Sequence, residues 1–105
     1  MTIMQGDQVV VALTLTNDDG DIITDYGVEE VVVTIGSIEV KMTDGDVEYD
    51  SENEVWTFPI TQEASLAQAA GMERMQVRVK FTDGSVCGAN VATVFILPAK
   101  NTEVL

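Results

Sequence analysis

Val31-Val32-Val33-Thr34-Ile35-Gly36-Ser37-Ile38-Glu39-Val40-Lys41-Met42 is the stretch that decides the fold. Val31, Val33 and Ile35 share one face before the central Gly-Ser pair, and Ile38, Val40 and Met42 share one face after it. Alternation with a period of two is what a strand needs when one face is buried and the other is wet. A two-residue interruption opening with glycine turns such a strand back on itself, because glycine has no Cβ to clash at positive φ. The stretch therefore predicts two antiparallel strands.

The same pattern recurs on both sides. Val9–Thr16 reads as an opening strand rich in β-branched residues. Asn17-Asp18-Asp19-Gly20-Asp21 turns the chain, Ile22-Ile23 suggests a short return strand, and Asp25-Tyr26-Gly27 reads as a loop. Downstream, Asp44-Gly45 is a second Asp-Gly turn, Val47-Glu48-Tyr49 a short strand, and Asp50–Glu54 an acidic loop. In Val55–Ile60 the bulky Trp56, Phe58 and Ile60 alternate with Val55, Thr57 and Pro59. Pro59 has no N–H to give to a ladder, which predicts an edge strand or the end of one. Residues 61–70 are the one helical candidate: Thr61 as N-cap, alanines within, and Gly71 as terminator. Met72–Leu97 returns to strand with Met75, Val77, Val79 and Phe81 inward, and Asp83-Gly84 breaks it into two.

These elements fit one domain over residues 1–98, with residues 99–105 as a C-terminal tail. The expected class is all-β: an immunoglobulin-like antiparallel β-sandwich of about seven strands with one short helix. A hydrophobic content of 46% speaks against wholesale disorder. No apolar run approaches the roughly 20 residues of a membrane-spanning helix. The first residues, Met1–Gly6, lack the charged and apolar segments of a signal peptide, which predicts synthesis in the cytoplasm.

Eighteen acidic residues against five basic ones give a formal net charge of −13. Repulsion from phosphate argues against partners that are nucleic acids or anionic membranes. The acidic loops invite comparison with calcium sites. Asn17, Asp19 and Asp21 have the spacing of the first EF-hand ligands, but Ile22 and Val28 stand where glycine and glutamate belong. Asp44, Asp46, Glu48 and Asp50 start alike and then place Val55 at the twelfth position. Both read as polar turns. Arg74, Gln76, Arg78 and Lys80 alternate along one strand and read as a solvated face paired with acids on neighbouring strands. Trp56 reads as a core anchor. Cys87, the single cysteine, reads as a small, half-buried strand residue, since histidine, the commonest activating base, is absent. No catalytic, cofactor-binding or metal residue is singled out, and an enzyme is not expected.

Five motifs in order carry a resemblance. They are Gln5-Gly6-Asp7, Asp19-Gly20, Val31-Val32-Val33-Thr34-Ile35-Gly36, Trp56-Thr57-Phe58-Pro59-Ile60-Thr61-Gln62-Glu63 and Gln76-Val77-Arg78-Val79-Lys80-Phe81-Thr82-Asp83-Gly84. This order resembles small phage and prophage virion proteins encoded among tail genes. It is also similar to the immunoglobulin-like N-terminal domain of phage baseplate upper proteins. The resemblance implies a non-enzymatic structural or adaptor protein of a tail or baseplate, located in the virion. Its partners would be other virion proteins or copies of itself, with no small-molecule substrate. The alternative is a free-standing immunoglobulin-like binding module of a bacterial host surface or complex. Either way, sheet edges, exposed loops, the strand bearing Pro59 and the tail Ala99–Leu105 are the expected contact elements.

Overall fold

The computed structural model describes residues 1–105, with Asn90 described through its backbone alone. Eight strands and one short helix follow one another: β1 (Thr2–Met4), β2 (Val9–Leu13), β3 (Val28–Ile35), β4 (Ile38–Lys41), β5 (Glu48–Asp50), β6 (Val55–Ile60), α1 (Gln62–Leu66), β7 (Gly71–Phe81) and β8 (Val86–Leu97). They form a five-stranded sheet ordered β1-β8-β7-β3-β4 and a three-stranded sheet ordered β2-β6-β5. The all-β class stands. All pairs are antiparallel except β1 with β8, which run parallel through Thr2↔Phe95 and Met4↔Leu97. A purely antiparallel fold of about seven strands is thus corrected to eight strands with one parallel pair.

The deciding hairpin forms as its pattern requires. Ile35 pairs with Ile38, and Gly36 takes φ +56° while Ser37 does not go positive, as in a type II′ turn. Gly20, Gly45 and Gly84 all take positive φ at the three Asp-Gly turns. At the last of them the Gly84 N–H donates to the Phe81 carbonyl and the Phe81 N–H to the Ser85 carbonyl, a three-residue loop closed by its glycine.

Alternation places one core between the sheets. Val31, Val33, Ile35, Met75, Val77, Val79, Val94 and Ile96 of the larger sheet meet Val11, Trp56, Phe58 and Ile60 of the smaller. Ile3, Leu15, Ile23, Ile38 and Val47 complete the cluster.

Four local expectations need correction. The opening strand stops at Leu13, and Ile22 makes only an isolated bridge to Thr16. Of the two readings of Pro59 the edge fails, because β6 is the middle strand of its sheet, while the strand does end one residue later at Ile60. Pro59 is tolerated because β5 pairs with β6 only as far as Thr57, so at Pro59 the sole neighbour is Val10 of β2. The helix covers residues 62–66 rather than 61–70. Thr61 caps it as expected, accepting from the Ala64 N–H at 3.2 Å, but Gly71 opens β7 instead of ending the helix. Gln68, in the segment between α1 and β7, turns inward and bonds Ser37, which draws the chain off the helical path.

Candidate functional site

The surface best equipped for contacts is the outer face of the five-stranded sheet. Because side chains alternate, the face opposite Val77 and Val79 carries Arg74, Gln76, Arg78 and Lys80 from β7, all exposed. β3 adds Glu30, Val32 and Thr34, and β4 adds Glu39 and Lys41, through the pairs Glu30↔Lys80, Val32↔Arg78 and Val32↔Lys41. Four of the chain's five basic residues therefore share one face of a protein whose net charge is −13. Two of them have acidic partners: Lys80 Nζ lies 3.7 Å from Glu29 Oε2, and Lys41 Nζ 3.3 Å from Glu39 Oε1. Among the described residues Arg74 and Arg78 make no ion pair. The expected pairing of the basic strand with neighbouring acids thus holds for Lys80 and fails for the arginines. Their cross-strand neighbours Thr93 and Gly88 carry no charge. A shallow depression of about 390 Å³ runs between Arg78, Lys80, Glu30 and Glu39.

At the end of this face the lining changes. Met72 sits opposite Phe95, and Leu97 opposite Met4; all four are exposed, Met72 by 62%. Together with Arg74, two residues along β7, they form an apolar patch rimmed by cationic charge. Methionine, aromatic residues and arginine are the types enriched at protein interfaces.

The other candidates have structural employment. Trp56 is buried at 1% exposure, stacks obliquely on Tyr49 at 5.1 Å and donates from Nε1 to the Ile23 carbonyl at 2.8 Å. In the acidic loops Asn17, Asp50 and Asp83 bond within their own turns. Asn17 Oδ1 accepts from the N–H groups of Asp19 and Asp21. The Asn53 side-chain amide, followed by the N–H groups of Asn53 and Glu52, holds the Asp50 carboxyl below its ordinary range. The Ser85 hydroxyl and N–H do the same for Asp83. Among the described residues no group of three or more His, Cys, Asp or Glu is placed to hold a metal. Cys87 is exposed rather than half-buried.

Two features gave no signal in the sequence. Ser65 on α1 is wholly buried; its hydroxyl donates to the Asp7 carbonyl at 2.8 Å and accepts from the Gly6 N–H at 2.9 Å. Gln5 donates to the Gln68 carbonyl and accepts from the Ala99 N–H. The Gln5-Gly6-Asp7 turn is thereby pinned between the helix and the start of the tail. The tail end is tied as well, since the Gln62 side chain exchanges two hydrogen bonds with the Leu105 backbone. No family model matches this chain, and no curated protein matches it either.

Proposed function

We propose that this chain is a non-enzymatic structural or adaptor protein of a phage or prophage virion, built as an immunoglobulin-like sandwich and working through protein contacts. The strand order carries the fold reading. Lettered in chain order with β4 as C′, the sheets are A-G-F-C-C′ and B-E-D, the layering of an immunoglobulin-type domain. The antibody hallmarks are placed differently: the buried tryptophan lies on strand E rather than C, and the single cysteine has no second cysteine to pair with.

The single observation behind the contact role is the outer face of the large sheet, where the patch of Met4, Met72, Phe95 and Leu97 adjoins the unpaired Arg74 and Arg78. Such a face suits a partner that presents apolar side chains ringed by carboxylates. The placement in a tail or baseplate is supported by the order of motifs along the chain. A test on particles decides it. Peptides of this chain in purified virions, with tail genes flanking its own, support the proposal. Peptides confined to a host surface fraction, with a host operon around the gene, would overturn it in favour of the free-standing binding module. A double reversal, Arg74→Glu with Arg78→Glu, is expected to abolish co-purification with the tail partner while leaving the fold's circular dichroism unchanged.

A further inference from the structure

β7 lays out the outer face of the large sheet along one line. Met72 stands near its start, Arg74 two residues on, Arg78 four further, and Lys80 close to its end. At about 3.4 Å per residue, Arg74 lies ~7 Å and Arg78 ~20 Å along the strand from Met72, on the same side because the steps are even. The two ends of this line differ. Beside Met72 lies Phe95, with Leu97 two residues further along β8. At the Phe81 end the Thr82 N–H donates to the Gly27 carbonyl, which sets the turn holding Asp25 beside the turn holding Asp83. The face grades from apolar, through cationic, to acidic.

Its four cations are not equivalent. Lys80 and Lys41 lie against Glu29 and Glu39. The remaining acid of the face, Glu30, accepts from Thr43 and from the Val31 N–H. Among the described residues Arg74 and Arg78 have no acidic partner. Arg78 is also held in place. It faces Gly88 across the ladder, and a Cβ at Gly88 would come within 3.2 Å of Arg78 Cγ. Gly88 does not take positive φ, so its backbone does not require glycine; the missing side chain leaves room for the Arg78 stem. Arg78 lines two shallow depressions, of about 390 Å³ toward β4 and about 310 Å³ toward β8.

The geometry points to an acidic segment of a partner protein as the occupant of this face. Its apolar side chain rests on Met72 and Phe95, and its carboxylates meet Arg74 and Arg78, two and six residues from that anchor in an extended chain. Even spacings put all three on one side of such a segment. Arginine grips a carboxylate through two parallel N–H donors, which lysine cannot do. A nucleic acid or an anionic membrane is a continuous array of charge and meets the whole net charge of −13, whereas two carboxylates meet only this face. The smaller sheet lies ~10 Å behind, beyond the ~8 Å screening length of physiological salt. This inference rests on the reading of the face as a contact surface, but not on residence in a virion.

Fluorescence anisotropy of the intact chain tests it, with a labelled synthetic peptide carrying leucine and then glutamates two and six residues on. Saturable binding that weakens with sodium chloride is expected. Arg74→Gln and Arg78→Gln are each expected to weaken it by roughly tenfold, and Lys41→Gln, whose lysine already has a partner, by less than about twofold. Gly88→Ala crowds Arg78 and is expected to weaken binding several-fold in the parent chain. Added to Arg78→Gln it is expected to change nothing more, a coupling that general loss of structure does not produce. Circular dichroism confirms that each variant is folded, and if one arginine variant unfolds the other decides. Absence of binding, equal losses for Lys41→Gln and Arg78→Gln, or equal binding of a peptide with its glutamates at one and five residues would each overturn the inference. Tighter binding of oligothymidylate or of phosphatidylserine vesicles would overturn it too. Detection of the chain in particles does not depend on any of these results, so the two readings fail separately.

Discussion

Trp56 carries the largest side chain of the core, and its one polar atom is not left bare, since it donates to the Ile23 carbonyl. That bond fixes the segment after the Asp-Gly turn against the smaller sheet. Trp56→Phe orphans the carbonyl and is expected to cost about 1–3 kcal/mol from this loss alone, read by urea unfolding. Ser65→Ala orphans two backbone groups at once, the Gly6 N–H and the Asp7 carbonyl, and an equal or larger loss is expected in the same assay. The two residues differ in how they could be read beforehand. Trp56 announced itself by alternation with Phe58 and Ile60, whereas Ser65 bonds residues 58 and 59 positions away, which no local pattern encodes. Glu30 is a third such case. Partial burial raises its pKa, but this is outweighed by hydrogen bonds from the Thr43 hydroxyl, the Thr43 N–H and the Val31 N–H, leaving it below the ordinary value of 4.5. A lowered carboxylate stabilises the fold fully above its unfolded value and loses that contribution as pH falls through the folded one. Thermal melts from pH 7 to pH 3 are therefore expected to fall less steeply below pH 4.5 for Glu30→Gln than for the parent chain.

Among the elements, most strands and the start of the helix were legible, and the end of the helix was not. A strand's period of two survives in a window of six residues, as Val55–Ile60 demonstrates by matching its expected bounds. The helix carried alanines that favour continuation to residue 70, yet it stops after Leu66 because Gln68 bonds Ser37 across the molecule. Tertiary bonding overrode local propensity. The same contact makes the deciding hairpin turn unusually intolerant. A Cβ at Gly36 would run into Gln68 Oε1, while one at Gly45 would meet nothing within 4 Å. Both glycines have positive φ, so both alanine variants lose roughly 1–2 kcal/mol in backbone strain. Gly36→Ala is expected to lose more than Gly45→Ala, with the excess vanishing when Gln68→Ala is added. Denaturant midpoints of the four variants would measure this; equal losses for the two glycines would show that Gln68 does not constrain the turn.

Charge acts on the molecule as a whole. Four cations on one sheet face leave the loops and the opposite layer strongly acidic, and that half repels itself. Net charge this far from zero keeps a chain soluble but works against its compact state. The ion pairs at Lys41 and Lys80 are exposed and offset little of this. The melting temperature is therefore expected to rise with sodium chloride, most of the rise coming as the screening length drops below the ~10 Å found near 0.1 M. A chain held mainly by attractive surface pairs would melt lower in salt. Asp18→Lys separates the two cases, because Asp18 lies in an exposed turn and neighbours Asp19 and Asp21. The reversal removes repulsion without removing a buried contact, so it is expected to raise the melting temperature at low salt and to flatten the salt dependence. Differential scanning calorimetry of both chains at two ionic strengths reads this directly, and a variant as salt-sensitive as its parent would show that the repulsion lies elsewhere than in the acidic turns.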